Sequence, residues 1–139
     1  MKVQYVENSE EFNVAAADLV CAQIQQKADS LLVFPTGNTP LGMFAELAKR
    51  YSLGQVSFSN AYLAELDEYR GIALDDPRNL FAWLERVFIR RVDFRPERVF
   101  RFDSAAIDSK TEAARMEGII QRLGGIDLLL LGLGPNGHI

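Results

Sequence analysis

Residues 31–42 read Leu-Leu-Val-Phe-Pro-Thr-Gly-Asn-Thr-Pro-Leu-Gly, four apolar residues followed by an abrupt polar turn. A continuous apolar run of this length, bounded by proline and glycine, is typical of a strand covered on both faces of a sheet. Thr39 can cap a following helix, and Pro40 suits the first helical turn. The stretch therefore predicts a strand that passes through a short polar loop into a helix.

The same alternation of strand and helix patterns extends along the whole chain. We predict strands at residues 2–6, 31–34, 61–66, 98–102 and 126–131, the last being the most buried. Helices are predicted after Asn8 (an N-cap with Glu11 three residues on), after Pro40, and at residues 79–92 and 109–123. This order favours an α/β fold, a Rossmann-like three-layer sandwich with a mainly parallel sheet.

Composition narrows the class of protein further. The 139 residues are 48% hydrophobic and 24% charged, which suits one globular domain. A net charge of −4 argues against a general nucleic-acid or anionic-membrane surface. One cysteine and one histidine exclude an internal disulfide, a thiolate-only metal site and a multi-histidine metal site. With no secretion signal or membrane-length apolar run, we expect a cytoplasmic protein without nucleic-acid or membrane partners.

Polar segments follow three of the predicted strands, at the sheet edge where α/β proteins bind ligands. The first contains Thr36, Gly37, Asn38 and Thr39 at the start of a helix. Free amides and short polar side chains there could cradle a phosphate, or the loop could be only a capped connection. The second, Asp67-Glu68, could transfer protons, or could be a solvated loop with a helix-capping acid.

The third polar segment, residues 132–138, matches Gly-x-Gly-x-x-Gly and ends in the sole histidine, His138. The match does not predict a dinucleotide site, because the fingerprint normally opens the fold and an acid should follow about 20 residues later. Pro135 also removes an amide from the loop. The glycines indicate a backbone that passes close to another group, and His138 is either structural or catalytic.

Taken together, Phe34-Pro35-Thr36-Gly37-Asn38-Thr39-Pro40, Leu66-Asp67-Glu68-Tyr69-Arg70-Gly71 and Gly132-Leu133-Gly134-Pro135-Asn136-Gly137-His138 are more specific than each alone. Their order and spacing resemble the glucosamine-6-phosphate deaminase/isomerase family. The resemblance covers nearly the whole chain, which corresponds to about the N-terminal half of such an enzyme. It implies one incomplete domain over residues 1–139, with a sheet that is also incomplete.

The resemblance implies an enzyme of amino-sugar catabolism that converts an amino-sugar 6-phosphate and water into a ketose 6-phosphate and ammonia. Its class would be a hydrolase of carbon–nitrogen bonds in the cyclic-amidine group, without metal or cofactor. Asp67 matches the family's proton shuttle between C2 and C1, His138 the base that opens the sugar ring, and Asn136 the residue that orients His138. Substrate-binding residues would be Thr36, Gly37, Asn38, Thr39, Glu68, Gly134 and Gly137.

Two other functions stay open. A 6-phosphogluconolactonase would share the fold and the glycine-rich ending, but Tyr69 and Gly71 favour the deaminase. A non-catalytic sugar-phosphate sensor would keep the phosphate loop, but the presence of both Asp67 and His138 favours catalysis. For the chain itself we expect little or no turnover, and homo-oligomerisation or self-association through an open edge of the sheet.

Overall fold

The computed structural model describes residues 3–134 and 136–138 of the chain. The elements run in the order α1 (Ser9–Gln26), β1 (Leu31–Phe34), α2 (Leu41–Ser52), β2 (Tyr62–Glu65), α3 (Leu80–Val87), β3 (Val99–Phe100), α4 (Ser109–Arg122) and β4 (Leu128–Leu129). Short 3-10 turns at Ile89–Arg91 and Pro96–Arg98 connect α3 to β3. No helix within the described ranges is both long enough and apolar enough to cross a membrane.

The four strands form one parallel sheet in the order β3-β2-β1-β4. The predicted α/β class with a parallel sheet is confirmed. The chain steps outward from β1 to β2 and β3, then returns to place β4 on the other side of β1. The crossover helices α2 and α4 lie on opposite faces of the sheet, so the neighbouring carboxyl ends of β1 and β4 form the topological switch point where α/β proteins bind ligands.

Side chains that alternate along β1 supply two separate cores. Leu32 and Phe34 pack with the helices α1, α2 and α3 on one face, and Leu31 and Val33 pack with α4 on the other. Successive residues of a strand point to opposite faces, so an unbroken apolar run is needed when both faces are covered. The prediction of helices on both faces is confirmed.

Phe88 is the centre of the larger core. Its ring centroid lies 5.6 Å from Phe34, 4.7 Å from Phe44, 5.4 Å from Phe58 and 6.0 Å from Phe94. The predicted helix over residues 79–92 is therefore wrong at its C-terminal end. The backbone leaves helical geometry at Phe88 (φ −137°), because that turn directs the ring between the other aromatic side chains.

Three other local predictions concern element ends. The cap at Asn8 is confirmed, since its Oδ1 accepts from the Glu11 N–H at 2.9 Å. The predicted cap at Thr39 is wrong: Pro40 holds the N-cap position of α2, which has no side-chain cap hydrogen bond.

The predicted strand at residues 2–6 is also wrong for the described residues 3–6, which pair with no strand of the described sheet, and Tyr5 is 92% exposed.

The prediction that the last strand is the most buried is wrong as well. Strand structure is confined to Leu128 and Leu129, and Leu129 is 42% exposed. Within the described residues β4 pairs with β1 alone, so it is an edge strand whose apolar side chains lack a second neighbour. The sequence shows that the side chains of a strand are apolar, but their burial depends on the strands and helices that pack against it.

Candidate active site

A cavity of about 620 Å³ lies at the switch point between β1 and β4. It brings together seven of the ten predicted site residues: Thr36, Gly37, Asn38, Thr39, Asp67, Gly134 and His138. Apolar side chains, among them Phe12, Met43 and Leu130, complete its wall. The three strand-end segments converge because the carboxyl ends of parallel strands share one edge of the sheet.

The loop after β1 lines this cavity and has main-chain donors without acceptors in the described part of the chain. No acceptor among the described residues takes the N–H groups of residues 36–39. Gly37 has φ +100°, a left-handed conformation that turns the loop and that other residues adopt at a cost. The loop leads into the uncapped N-terminus of α2, where unpaired N–H groups and the helix dipole favour an anion.

Asp67 is exposed at the mouth of the same cavity, two residues after β2 ends. Its side chain takes part in no hydrogen bond or salt bridge with the residues that the structure describes. Neighbouring residues hold its backbone instead. Gly71 N–H donates to the Ser104 C=O at 2.6 Å, and Ser104 Oγ donates to the Ile72 C=O at 2.6 Å. The segment after β3 therefore braces the segment that carries Asp67.

Glu68 does not line this cavity. Its carboxylate accepts from the N–H groups of Leu80, at 3.0 and 3.2 Å, and of Phe81, at 3.3 Å, at the start of α3. The helix-capping alternative thus describes what Glu68 does in the structure, and the structure gives no support to a direct contact with substrate. A carboxylate at a helix N-terminus is stabilised by the unpaired amides and by the helix dipole.

The glycine-rich segment after β4 closes on itself. Gly134 N–H donates to the His138 C=O at 2.7 Å, and Gly137 N–H donates to the Gly134 C=O at 2.9 Å. Both amides are therefore occupied within the segment, and Gly134 but not Gly137 lines the cavity, so substrate binding by these two glycines stays a prediction. The glycines instead permit the tight turn: a Cβ on Gly134 would lie 3.3 Å from the His138 carbonyl oxygen.

This turn places His138 at the cavity, where the residue is exposed. Asn136 Oδ1 accepts from the main-chain N–H of His138 at 3.2 Å. We expected the amide of Asn136 to orient the imidazole, and the structure shows it holding the backbone of His138. Asn136 and Gly137 do not line the cavity, and Pro135 lies outside the described residues.

Sequence reasoning missed Glu65, the last residue of β2. The residue is 4% exposed, its Oε2 accepts from the Phe102 N–H at 2.8 Å, and its Oε1 is buried without a partner. Burial, together with the nearby charges of Glu68 and Asp67, raises the pKa of Glu65 to about 8. An acidic residue inside a predicted strand covered on both faces was the signal that could have identified it.

The described residues contain no group of three or more histidine, cysteine, aspartate or glutamate side chains that could hold a metal ion. What they assemble is an anion-accepting loop, a free carboxylate and an imidazole around one cavity. This arrangement can bind a phosphorylated small molecule and move protons on it.

Fold and cavity together define an α/β protein with a candidate small-molecule site at its topological switch point. A model of the family described as glucosamine-6-phosphate isomerases/6-phosphogluconolactonase matches residues 7–139. The chain belongs to this family, as its three motifs predicted.

Relatives support the same conclusion. The glucosamine-6-phosphate deaminase of Halothermothrix orenii is 40% identical over all 139 residues of the chain, which span 58% of that relative. Glucosamine-6-phosphate deaminase 1 of Bacillus subtilis is 35% identical over 139 residues, 57% of its length. The chain thus spans a little over half the length of the curated relatives that it matches.

Solved structures agree with the fold. A monomeric glucosamine-6-phosphate deaminase superposes with a TM-score of 0.94 and 35% identity, over 99% of this chain and 57% of that one. A 6-phosphogluconolactonase from Thermotoga maritima superposes with a TM-score of 0.79 at 21% identity, over 96% of this chain and 60% of that one. The second likeness shows a shared fold.

Proposed function

We propose that this chain carries the substrate site of an amino-sugar-6-phosphate deaminase, a hydrolase of a carbon–nitrogen bond in soluble cytoplasmic metabolism. The observation that carries the proposal is the meeting of Asp67 and His138 with residues 36–39 at one cavity. The names of the relatives at 35–40% identity point to glucosamine 6-phosphate as the substrate.

The phosphate of the substrate would be held by the free amides of residues 36–39 and by the N-terminus of α2. His138 would act as the base that opens the sugar ring. Asp67 would then take the proton from C2 and return it to C1, so that the carboxylate is regenerated at the end of the transfer. Water replaces the nitrogen at C2, and ammonia leaves.

An exposed carboxylate without partners suits this transfer. A group that accepts and then returns a proton must not be committed to a permanent hydrogen bond, and Asp67 has none with the described residues. Glu68 beside it is committed to the start of α3, so the two adjacent acids have separate tasks. Glu68 would hold the segment in place while Asp67 reacts.

We also propose that the 139-residue chain by itself has little or no turnover. It spans 58% of the Halothermothrix orenii relative, and the described cavity contains no lysine or arginine side chain to hold the phosphate. The edge of β4 is unpaired within the described residues, and we propose that it drives self-association of the chain. Analytical ultracentrifugation that finds only monomer would contradict the proposed self-association.

Ammonia release from glucosamine 6-phosphate tests the function. We would compare the 139-residue chain with a chimera in which residues 1–139 are continued by the remainder of the Halothermothrix orenii relative. We expect turnover in the chimera and little in the chain alone. In the chimera, Asp67→Asn should reduce kcat by at least about 100-fold, the usual contribution of a positioned acid or base.

The control is Asp75→Asn, which removes an exposed acid from the same connection but outside the cavity. This variant should retain the turnover of the chimera. Equal activity in the Asp67 and Asp75 variants would refute the assignment of the proton shuttle. Hydrolysis of 6-phosphogluconolactone without ammonia release from the amino sugar would instead assign the lactonase function.

A further inference from the structure

Glu65 occupies an unusual position for an acidic residue. It ends β2 opposite Phe34 of β1, and both residues are buried. One carboxyl oxygen, Oε2, accepts from the Phe102 N–H, whereas Oε1 has no partner among the described residues. An unpaired oxygen of a buried carboxylate is costly, so the ionised form of this side chain fits its surroundings badly.

A proton on Oε1 removes this difficulty. A hydrogen bond with the Glu68 side chain is one of the causes that raise the pKa of Glu65, and two carboxyl groups can bond to one another only when one of them carries a proton. The negative charge belongs on Glu68, whose oxygens accept from Leu80 and Phe81 at the start of α3. The proton therefore belongs on Glu65.

We propose that Glu65 is a positioning residue for Asp67: as a neutral carboxylic acid it accepts from the Phe102 N–H and donates to the Glu68 carboxylate, and so fixes both ends of the short segment that carries Asp67. The Glu65 side chain bonds to Phe102 in the segment after β3, and the Glu68 side chain bonds to the start of α3. Asp67 lies between them with its side chain free at the cavity. The role in catalysis rests on the proposed function, and the positioning itself does not.

Other charged groups near this pair are occupied elsewhere. Arg101 lies over the ring of Phe81 at 5.5 Å. Glu112 on α4 accepts from the Asp103 N–H at 2.7 Å and pairs with Arg115 at 2.6 Å. Burial is the first cause that raises the pKa of Glu65 to about 8, and the charges that add to it are those of Glu68 and Asp67.

A carbon-detected NMR titration of the 139-residue chain tests the positioning directly. We expect the Glu65 carboxyl group to be protonated at pH 6 and to titrate near pH 8. The amide signals of Asp67, Glu68 and Phe102 should shift with the same midpoint. A Glu65 that is ionised at pH 6, or an Asp67 amide that does not respond to its titration, would overturn the proposal.

Glu65→Gln is the matched variant, because its amide has an acceptor for Phe102 and a donor for Glu68 but cannot ionise. In Glu65→Gln the amide signals of Asp67 and Phe102 should have, at every pH, the chemical shifts that the wild type has at low pH. Glu65→Leu offers neither partner and should move these signals at every pH. Should the leucine variant fail to fold, the comparison of wild type with the glutamine variant still decides the proposal.

Binding of glucosamine 6-phosphate, measured by calorimetry at pH 7 and pH 9, connects the positioning to the site. With a pKa of about 8, about one tenth of Glu65 is neutral at pH 9. The affinity of the wild type should therefore fall about tenfold more than that of Glu65→Gln. Ionisation of the sugar phosphate affects both proteins alike and cancels from the comparison.

The outcomes of the two experiments separate the two proposals. Identical pH dependence of binding in wild type and Glu65→Gln would show that the site does not depend on Glu65, and would overturn the positioning role. Absence of binding in both proteins at both pH values would count against the proposed function. The NMR titration would in that case still decide whether Glu65 holds the Asp67 segment.

Discussion

Replacing Phe88 should be the most damaging single truncation of the larger core. Its side chain is fully buried, and four other phenylalanine rings surround it at centroid distances of 4.7 to 6.0 Å. Phe88→Ala removes the ring and leaves a cavity that these rigid neighbours cannot fill. Such truncations cost about 3–5 kcal/mol, a large fraction of a typical domain stability of about 5–15 kcal/mol.

Phe88→Leu refines this prediction. Leucine keeps most of the buried apolar volume but loses the aromatic pairs, which contribute about 0.5–1.5 kcal/mol each and are not additive. We expect a loss of about 1–2 kcal/mol for the leucine variant, clearly below the loss for alanine. Urea unfolding followed by far-ultraviolet circular dichroism, with a common m-value, measures both free energies.

Phe12→Ala is the control for the same change of residue at an exposed position, since Phe12 is 44% exposed. It should cost no more than about 1 kcal/mol. Losses of the same size in Phe12→Ala and Phe88→Ala would refute the reasoning, because they would show that the chain does not depend on the aromatic cluster. A leucine variant as damaged as the alanine variant would refute the division into volume and ring contacts.

Three further predictions concern titration and backbone geometry. The pKa of Glu65 is raised above its usual 4.5 to about 8, so the folded state holds a proton that the unfolded state has lost, and the free energy of unfolding should fall between pH 4.5 and 8 by up to about 5 kcal/mol. Urea unfolding at several pH values should show this fall in the wild type and in Glu117→Gln, which changes an exposed acid and is the control. Glu65→Gln should not show it, which would confirm that Glu65 causes the fall. Burial raises the pKa of Asp127, but hydrogen bonds from Lys27 and from the Leu31 N–H outweigh burial and hold it below the usual 3.8. Asp127→Asn should therefore lose about 1–2 kcal/mol at neutral pH, and its difference from the wild type should shrink as the pH falls below 3.8; a difference constant down to pH 2 would contradict this. Gly37 and Gly54 both have positive φ and open space where a Cβ would lie, so alanine at either should cost about 1–2 kcal/mol through backbone strain. Calorimetry should find weaker binding of glucosamine 6-phosphate in Gly37→Ala alone, and equal binding in the two variants would remove residues 36–39 from the proposed phosphate site.

The three strand-end segments could be predicted from the sequence because parallel strands impose their convergence. Once Leu31-Leu32-Val33-Phe34 and the segments before Asp67 and Gly132 are assigned to one parallel sheet, their following loops must share an edge. The cavity that joins Thr36, Asp67 and His138 follows from this topology.

Features that depend on distant partners could not be predicted in the same way. Glu68 and Asp67 are adjacent in sequence, and only the position of α3 assigns the first to a helix start and the second to the cavity. The last strand is as apolar as β1, yet Leu129 is 42% exposed because β4 has one neighbour within the described residues. The sequence around a residue does not show which distant helices and strands will lie next to it.

The two faces of the sheet are covered unequally: α1, α2 and α3 protect one, and α4 protects the other. Regions with few buried contacts open first in hydrogen exchange, so amides of α4 should exchange ahead of those of α1 and α2. Excursions in which α4 lifts away would also loosen residues 101–103, which bond to Glu112 and Arg115 of α4. The thinly covered face thus couples local opening of α4 to the position of the Asp67 carboxylate at the candidate site.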